Sequence, residues 1–179
     1  MNECHKQNSD EESKVIIGLN NPKSPSNVGS VMRAAGCYQV DEVVYTGQRY
    51  ERAMQFNTDT KAAVLNIPLC GVEALELAIP AGVRVVCVEL VEGAIPLPEY
   101  QHPQQAFYIF GPEDGTLSQA LIDRADDVVY IPTIGCMNLA ATVNVVLYDR
   151  LAKSTQNIAG DALIRASRDT NNKVRVKPQ

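Results

Sequence analysis

Short unbroken apolar runs alternate along this chain with stretches in which apolar residues recur every three or four positions. The runs are VIIGLN (15–20), DEVVYTG (41–47), VLNIPLC (64–70), VRVVCVEL (83–90), AFYIFG (106–111) and DVVYIP (127–132). Each has strand length, and the absence of polar alternation in most of them predicts strands covered on both faces. Between them lie helical patterns. In VGSVMRAAG (28–36), Val28, Val31, Met32 and Ala35 share one face, with Asn27 as the expected cap and Gly36 as the stop. The segment 49–63 reads as a polar, partly helical connection, and 71–80 as a short helix stopped by Pro80. A helix is expected in 116–126, and a longer one over 137–154 with Leu139, Val143, Val146 and Leu147 on its apolar face. The stretch 92–105 is rich in proline and reads as a loop. Strand following helix throughout predicts an α/β fold, a mainly parallel sheet with helices on both faces.

In such a sheet, ligands bind off the carboxyl ends of the strands. The loops after Asn20, Leu90, Phe110 and Ile131 are therefore the expected site. Three of them carry more than a connection requires. In NPKSPSNVGSVMRAA (21–35), two prolines stiffen the approach to a helix that bears Asn27 at its mouth and Arg33 six residues on. At that separation the two are expected to lie roughly on one side. In IFGPEDGTLS (109–118), Gly111 and Gly115 let backbone amides approach a ligand and Glu113 offers a carboxylate. Glu113 and Asp114 also suit the start of a helix. The pattern is not a P-loop, and no G-x-G-x-x-G follows any strand. The third, IPTIGCMNLAATVNVVLYD (131–149), leaves a strand through Ile-Pro and enters a helix at Asn138. Cys136 has no histidine near it in sequence, which argues against covalent catalysis.

Composition refines this picture. The 179 residues are 45% apolar and 21% charged, sufficient for one globular domain. That domain is expected over 15–155, after a polar leader (1–14) and before a basic tail (156–179). The leader has the character of neither signal nor transit peptide, and no run is long enough to span a membrane, so a cytoplasmic protein is expected. Five scattered cysteines form no C-x-x-C pair; Cys37, Cys70 and Cys87 read as small core residues. Two isolated histidines, His5 and His102, predict no metal site. Net charge is −5, yet residues 150–179 carry seven basic side chains and two acidic ones, leaving −10 on the remainder. Such a tail can grip phosphate.

Taken in order, the three loop motifs resemble those of the SpoU-type (TrmH-like) branch of the SPOUT RNA methyltransferases. The likeness spans about residues 15–150. It implies a deep trefoil knot in the C-terminal half, S-adenosylmethionine as cofactor, a homodimer, and methylation of a ribose 2′-hydroxyl in tRNA or rRNA. It places Arg33, Asn27 and Asn138 in the catalytic machinery. Val88, Glu89, Gly111, Glu113, Ile131, Cys136, Met137 and Leu139 would line the cofactor pocket. Arg49, Arg52 and Lys61, with Arg165 and Arg168 of the tail, would supply phosphate contacts. With no RNA-binding domain evident at either end, a compact target such as a tRNA arm is favoured over rRNA. The chain departs from the family pattern in three places. Gly115 comes one position early, so Thr116 stands where a glycine is usual. Cys136 and Ala140 replace serines. The third loop is two or three residues short. The alternative implied by these departures is an RNA-binding member that has lost methyl transfer.

Overall fold

The computed structural model describes residues 13–55, 67–156 and 159–177. Seven strands form one parallel sheet: β1 (Val15–Leu19), β2 (Glu42–Tyr45), β3 (Leu69–Gly71), β4 (Arg84–Val88), β5 (Ile95–Pro96), β6 (Ala106–Phe110) and β7 (Asp127–Tyr130), in the spatial order β3-β2-β1-β6-β4-β7-β5. The central strands are buried along their whole length, as their unbroken apolar sequences predict. Among the described residues, five α-helices accompany them: α1 (Pro25–Cys37), α2 (Arg49–Met54), α3 (Gln119–Arg124), α4 (Leu139–Lys153) and α5 (Asp161–Ser167).

Alternation along the strands divides the core into two layers. Ile17, Leu19, Val86, Tyr108 and Phe110 face α1 and α4, where Val28, Val31, Val143 and Val146 complete one cluster. Ile16, Val85, Cys87, Phe107 and Ile109 face the opposite way, against Leu121 of α3 and Leu75 of a 3₁₀ turn, Leu75–Ala78. Each such residue, fully buried, contributes about 1.5–3 kcal/mol relative to an exposed position. Gly18 in β1 is needed for close packing: a Cβ there would come within 2.9 Å of the Phe107 ring.

Several local expectations are corrected. α1 begins at Pro25 under a Ser24 cap, whose hydroxyl accepts from the Asn27 backbone N–H; Asn27 lies inside the first turn. Proline at the first helical position has no N–H to waste, which favours that earlier start. β3 starts at Leu69, just past Pro68, which cannot donate to a ladder; residues 64–66 lie outside the described residues. The Pro-rich loop contributes edge strand β5 and a 3₁₀ turn, Leu97–Glu99. Of the cysteines expected in the core, Cys87 is buried, whereas Cys37 is exposed at the end of α1. Cys70 is half-buried in β3.

Candidate functional site at the carboxyl ends of the strands

The strand registers bring the ends of all seven strands into one row. Gly71 pairs with Tyr45, Tyr45 with Leu19, Leu19 with Phe110, Phe110 with Val88, Val88 with Val129 and Val129 with Ile95. The loops beyond that row therefore leave the sheet side by side, although 90 residues separate some of them.

A chain of hydrogen bonds ties three of these loops together. Glu113 accepts from the backbone N–H of Lys23 at 2.8 Å, from that of Ser24 at 3.1 Å and from Asn27 Nδ2 at 3.0 Å. Asn27 Oδ1 in turn accepts from Asn138 Nδ2 at 3.0 Å. Asn138 Oδ1 caps α4, accepting from the backbone N–H of Ala140 at 2.9 Å and of Ala141 at 3.4 Å. Each amide has its two ends engaged with opposite partners, so its orientation is fixed. Burial alone would raise the Glu113 carboxyl, but the bonds from Asn27, Lys23 and Ser24 overcome it and hold the group below its ordinary value.

Beside this chain lies a cavity of about 160 Å³ whose walls come from the loops after β4, β6 and β7. Val88, Glu89, Gly111, Glu113, Ile131, Cys136, Met137 and Leu139 all line it. Glu89 bridges two of its walls, accepting from the backbone N–H of Leu90 and of Leu117, each at 2.9 Å. Gly111 has no room for a side chain: a Cβ would come within 2.9 Å of Glu89 Oε2. Further lining residues are Leu90, Pro112, Tyr130, Thr133 and Thr142. Most are neighbours of residues singled out from sequence. Thr142 was legible only from its place one helical turn after Asn138, whose carbonyl its hydroxyl bonds at 3.0 Å. The third loop stays open, with 132–136 exposed and Ile134 fully so.

Arg33 does not join the network. It is exposed and no hydrogen bond or ion pair to another described residue is formed by its guanidinium. The expectation that it shares a side with Asn27 is corrected by helix geometry. Six residues at about 100° each leave the two about 120° apart, so Asn27 turns inward while Arg33 faces out from α1. The phosphate-contact candidates are dispersed. Arg49 is paired with Asp114, Arg52 donates to Gln48 Oε1 at 2.7 Å, and Lys61 lies outside the described residues. Arg165 approaches Asp161 within α5, a helix exposed along its whole length, and Arg168 follows that helix. Among the described residues there is no cluster of potential metal ligands and no helix long and apolar enough to cross a membrane.

The model of the SpoU rRNA Methylase family matches residues 14–148, the span that holds the sheet and all three motifs. The chain belongs to that family. No curated protein matches the sequence. Solved structures share the fold of this SpoU-family chain. The AdoMet complex of the SpoU methyltransferase AviRb from Streptomyces viridochromogenes is 19% identical, with a TM-score of 0.66 over 81% of this chain and 59% of that one. The AdoMet-bound rRNA methyltransferase from Sinorhizobium meliloti is 20% identical, with a TM-score of 0.66 over 79% and 57%. A structure concerned with 2-OH methylation of C/U34 on tRNA is 22% identical, with a TM-score of 0.66 over 80% and 92%. The chain thus spans less than two thirds of the length of the first two.

Proposed function

We propose that this SpoU-family chain methylates a ribose 2′-hydroxyl of RNA, with S-adenosylmethionine held in the cavity at the carboxyl ends of the strands. The observation that carries the reading is that the second and third motifs line one cavity, and that the first is tied to both by the Glu113–Asn27–Asn138 chain. The residues present fit the cofactor. Val88, Ile131, Met137 and Leu139 offer apolar wall. When bound, S-adenosylmethionine supplies a sulfonium methyl group open to in-line attack.

The chain's own task is to position two reactants and to help a hydroxyl lose its proton. Guanidinium stays protonated in proteins, which makes Arg33 a poor base. A planar cation with free donors is suited to hold the phosphate beside the target ribose and to stabilise developing alkoxide charge, the proton going to phosphate or water. Near-full activity of Arg33→Lys would contradict this bidentate role. The homodimer and the C-terminal knot belong to the same reading. On α4, Ala141, Tyr148 and Ala152 are exposed on one face, with Tyr148 61% exposed, and a second copy would cover them. Light scattering on the purified chain tests the dimer.

The decisive test is calorimetric titration with S-adenosylmethionine and S-adenosylhomocysteine, followed by methyl transfer to tRNA and rRNA transcripts. Micromolar binding is expected, abolished in Gly111→Leu because the side chain would enter the space held by Glu89 Oε2. The open third loop favours the alternative of an RNA-binding member without turnover. Absence of binding at millimolar cofactor, by folded protein that still binds RNA, would establish that alternative instead.

A further inference from the structure

Asp114 stands at the tip of the second motif, between cavity-lining Glu113 and Gly115. Two cations from other loops converge on its carboxylate. Arg49 Nη2, at the start of α2, reaches both oxygens at 2.8 and 3.0 Å. Lys23 Nζ, from the loop after β1, lies 3.6 Å from Oδ2. The cluster therefore joins the loops after β1, β2 and β6 beside the cavity, and it does so in the open: the Asp114 side chain is 50% exposed and that of Lys23 64%. The Arg49 guanidinium beside it holds the Asp114 carboxyl below its ordinary value.

An anion held by two cations from separate loops is what an RNA phosphate would be here. We propose that Lys23 and Arg49 form a phosphate-binding site for the RNA substrate, and that Asp114 occupies it until a backbone phosphate displaces it. This rests on the RNA-methylation reading. Exposed ion pairs hold weakly, so displacement costs little. A backbone phosphodiester presents two non-bridging oxygens that share one charge, as a carboxylate does, so it can take the place of Asp114 on both cations. Asp114 then serves as a built-in competitor that lowers non-specific RNA affinity, in a chain whose net charge of −5 already disfavours it.

The test is fluorescence anisotropy with a labelled tRNA transcript, at about 50 and 200 mM salt, where phosphate contacts differ most. Asp114→Asn is expected to bind about fivefold more tightly than wild type at the lower salt, with a steeper salt dependence. In an Arg49→Gln background, Asp114→Asn should give no gain. A gain that persists without Arg49 would mean general charge reduction and would overturn the proposal, as would unchanged or weaker binding by Asp114→Asn. Calorimetry with S-adenosylmethionine on the same proteins separates the two readings. Wild type that binds tRNA but is indifferent to Asp114 sinks the placeholder alone. Protein that binds cofactor but no tRNA, with or without Asp114, removes the RNA substrate as well.

Discussion

Two polar networks lie at opposite ends of the same sheet, and they differ in what they leave unused. At the amino ends of the strands, His102 sits between Tyr108 and Asp149, its Nδ1 2.6 Å from the tyrosine hydroxyl and its Nε2 2.9 Å from the carboxylate. Only one tautomer suits both partners: Nε2–H donates to Asp149, and Nδ1 accepts from the Tyr108 hydroxyl. That hydroxyl accepts from Arg150 Nη1 at 3.2 Å, while Lys153 closes on Asp149 at 2.7 Å. Tyrosine, histidine and aspartate in a row have the composition of a catalytic relay. Both ring nitrogens of His102 are spent inside the protein, however, and its side chain is only 4% exposed. At the carboxyl ends, the Glu113–Asn27–Asn138 chain is less buried and borders a cavity, with Arg33 unengaged on the same helix as Asn27. Residue type does not separate a site from a scaffold here. Nor does concavity, since His102, Arg150 and Lys153 line a depression of about 690 Å³ at the amino ends; the difference is that the donors there are engaged, while Arg33 on the helix of Asn27 is not.

The sharpest way to break this comparison is Asp149→Ala. It strips His102 and Lys153 of their shared anion in a mostly buried setting, and should cost about 2–3 kcal/mol of stability by urea denaturation. Cofactor binding should be unchanged. Loss of S-adenosylmethionine affinity from an otherwise folded Asp149→Ala protein would show that the two ends are coupled.

Glu113→Gln probes the other network. The substitution keeps the shape, but replaces one of two accepting oxygens with an amide that points hydrogens at donors from Lys23, Ser24 or Asn27. Stability should fall by about 1 kcal/mol. Methyl transfer should fall further, by about 30- to 100-fold, since a small misplacement of a positioning loop is costly to rate. A loss of activity no greater than the loss of stability would make Glu113 merely structural.

How far these networks could be foreseen differs along the chain. The strands β1, β4 and β6 were legible because each is an unbroken apolar run, and α4 because Asn138 precedes a periodic apolar face. β5 was not, because two residues, Ile95 and Pro96, carry no period. The cavity wall was largely legible once the three motifs were placed after their strands. The bonds that organise it were not: Glu113 finds its donors 86 to 90 positions away, a pairing set by the register of β1 on β6. Ser24 displaced Asn27 as the cap because Pro25 accepts the first helical position, and that single turn decides which way Asn27 and Arg33 face. The charge of the tail does not say where α5 sits relative to a ligand.

The smallest expected effect distinguishes the two ends by pH. Burial lowers the His102 imidazole below its ordinary value of 6.5; Asp149 opposes this, while Arg150 and Lys153 add to it. Tyr108 and Tyr100 also face the ring. The folded protein therefore favours neutral His102 more than the unfolded chain does. As pH falls below about 6.5, the unfolded chain takes up its proton first, so this stabilisation is lost as pH drops through the folded value. Glu113 has the same sign in a lower window, since its folded value lies below 4.5 and its contribution is present above that pH and lost beneath it. Stability measured by urea between about pH 8 and 5 should thus decline in wild type and flatten in His102→Gln. The steeper loss below about pH 4.5 should survive in His102→Gln and diminish in Glu113→Gln. An unaltered slope above pH 5 in His102→Gln would mean that the amino-end network does not set the neutral-range pH dependence of the fold.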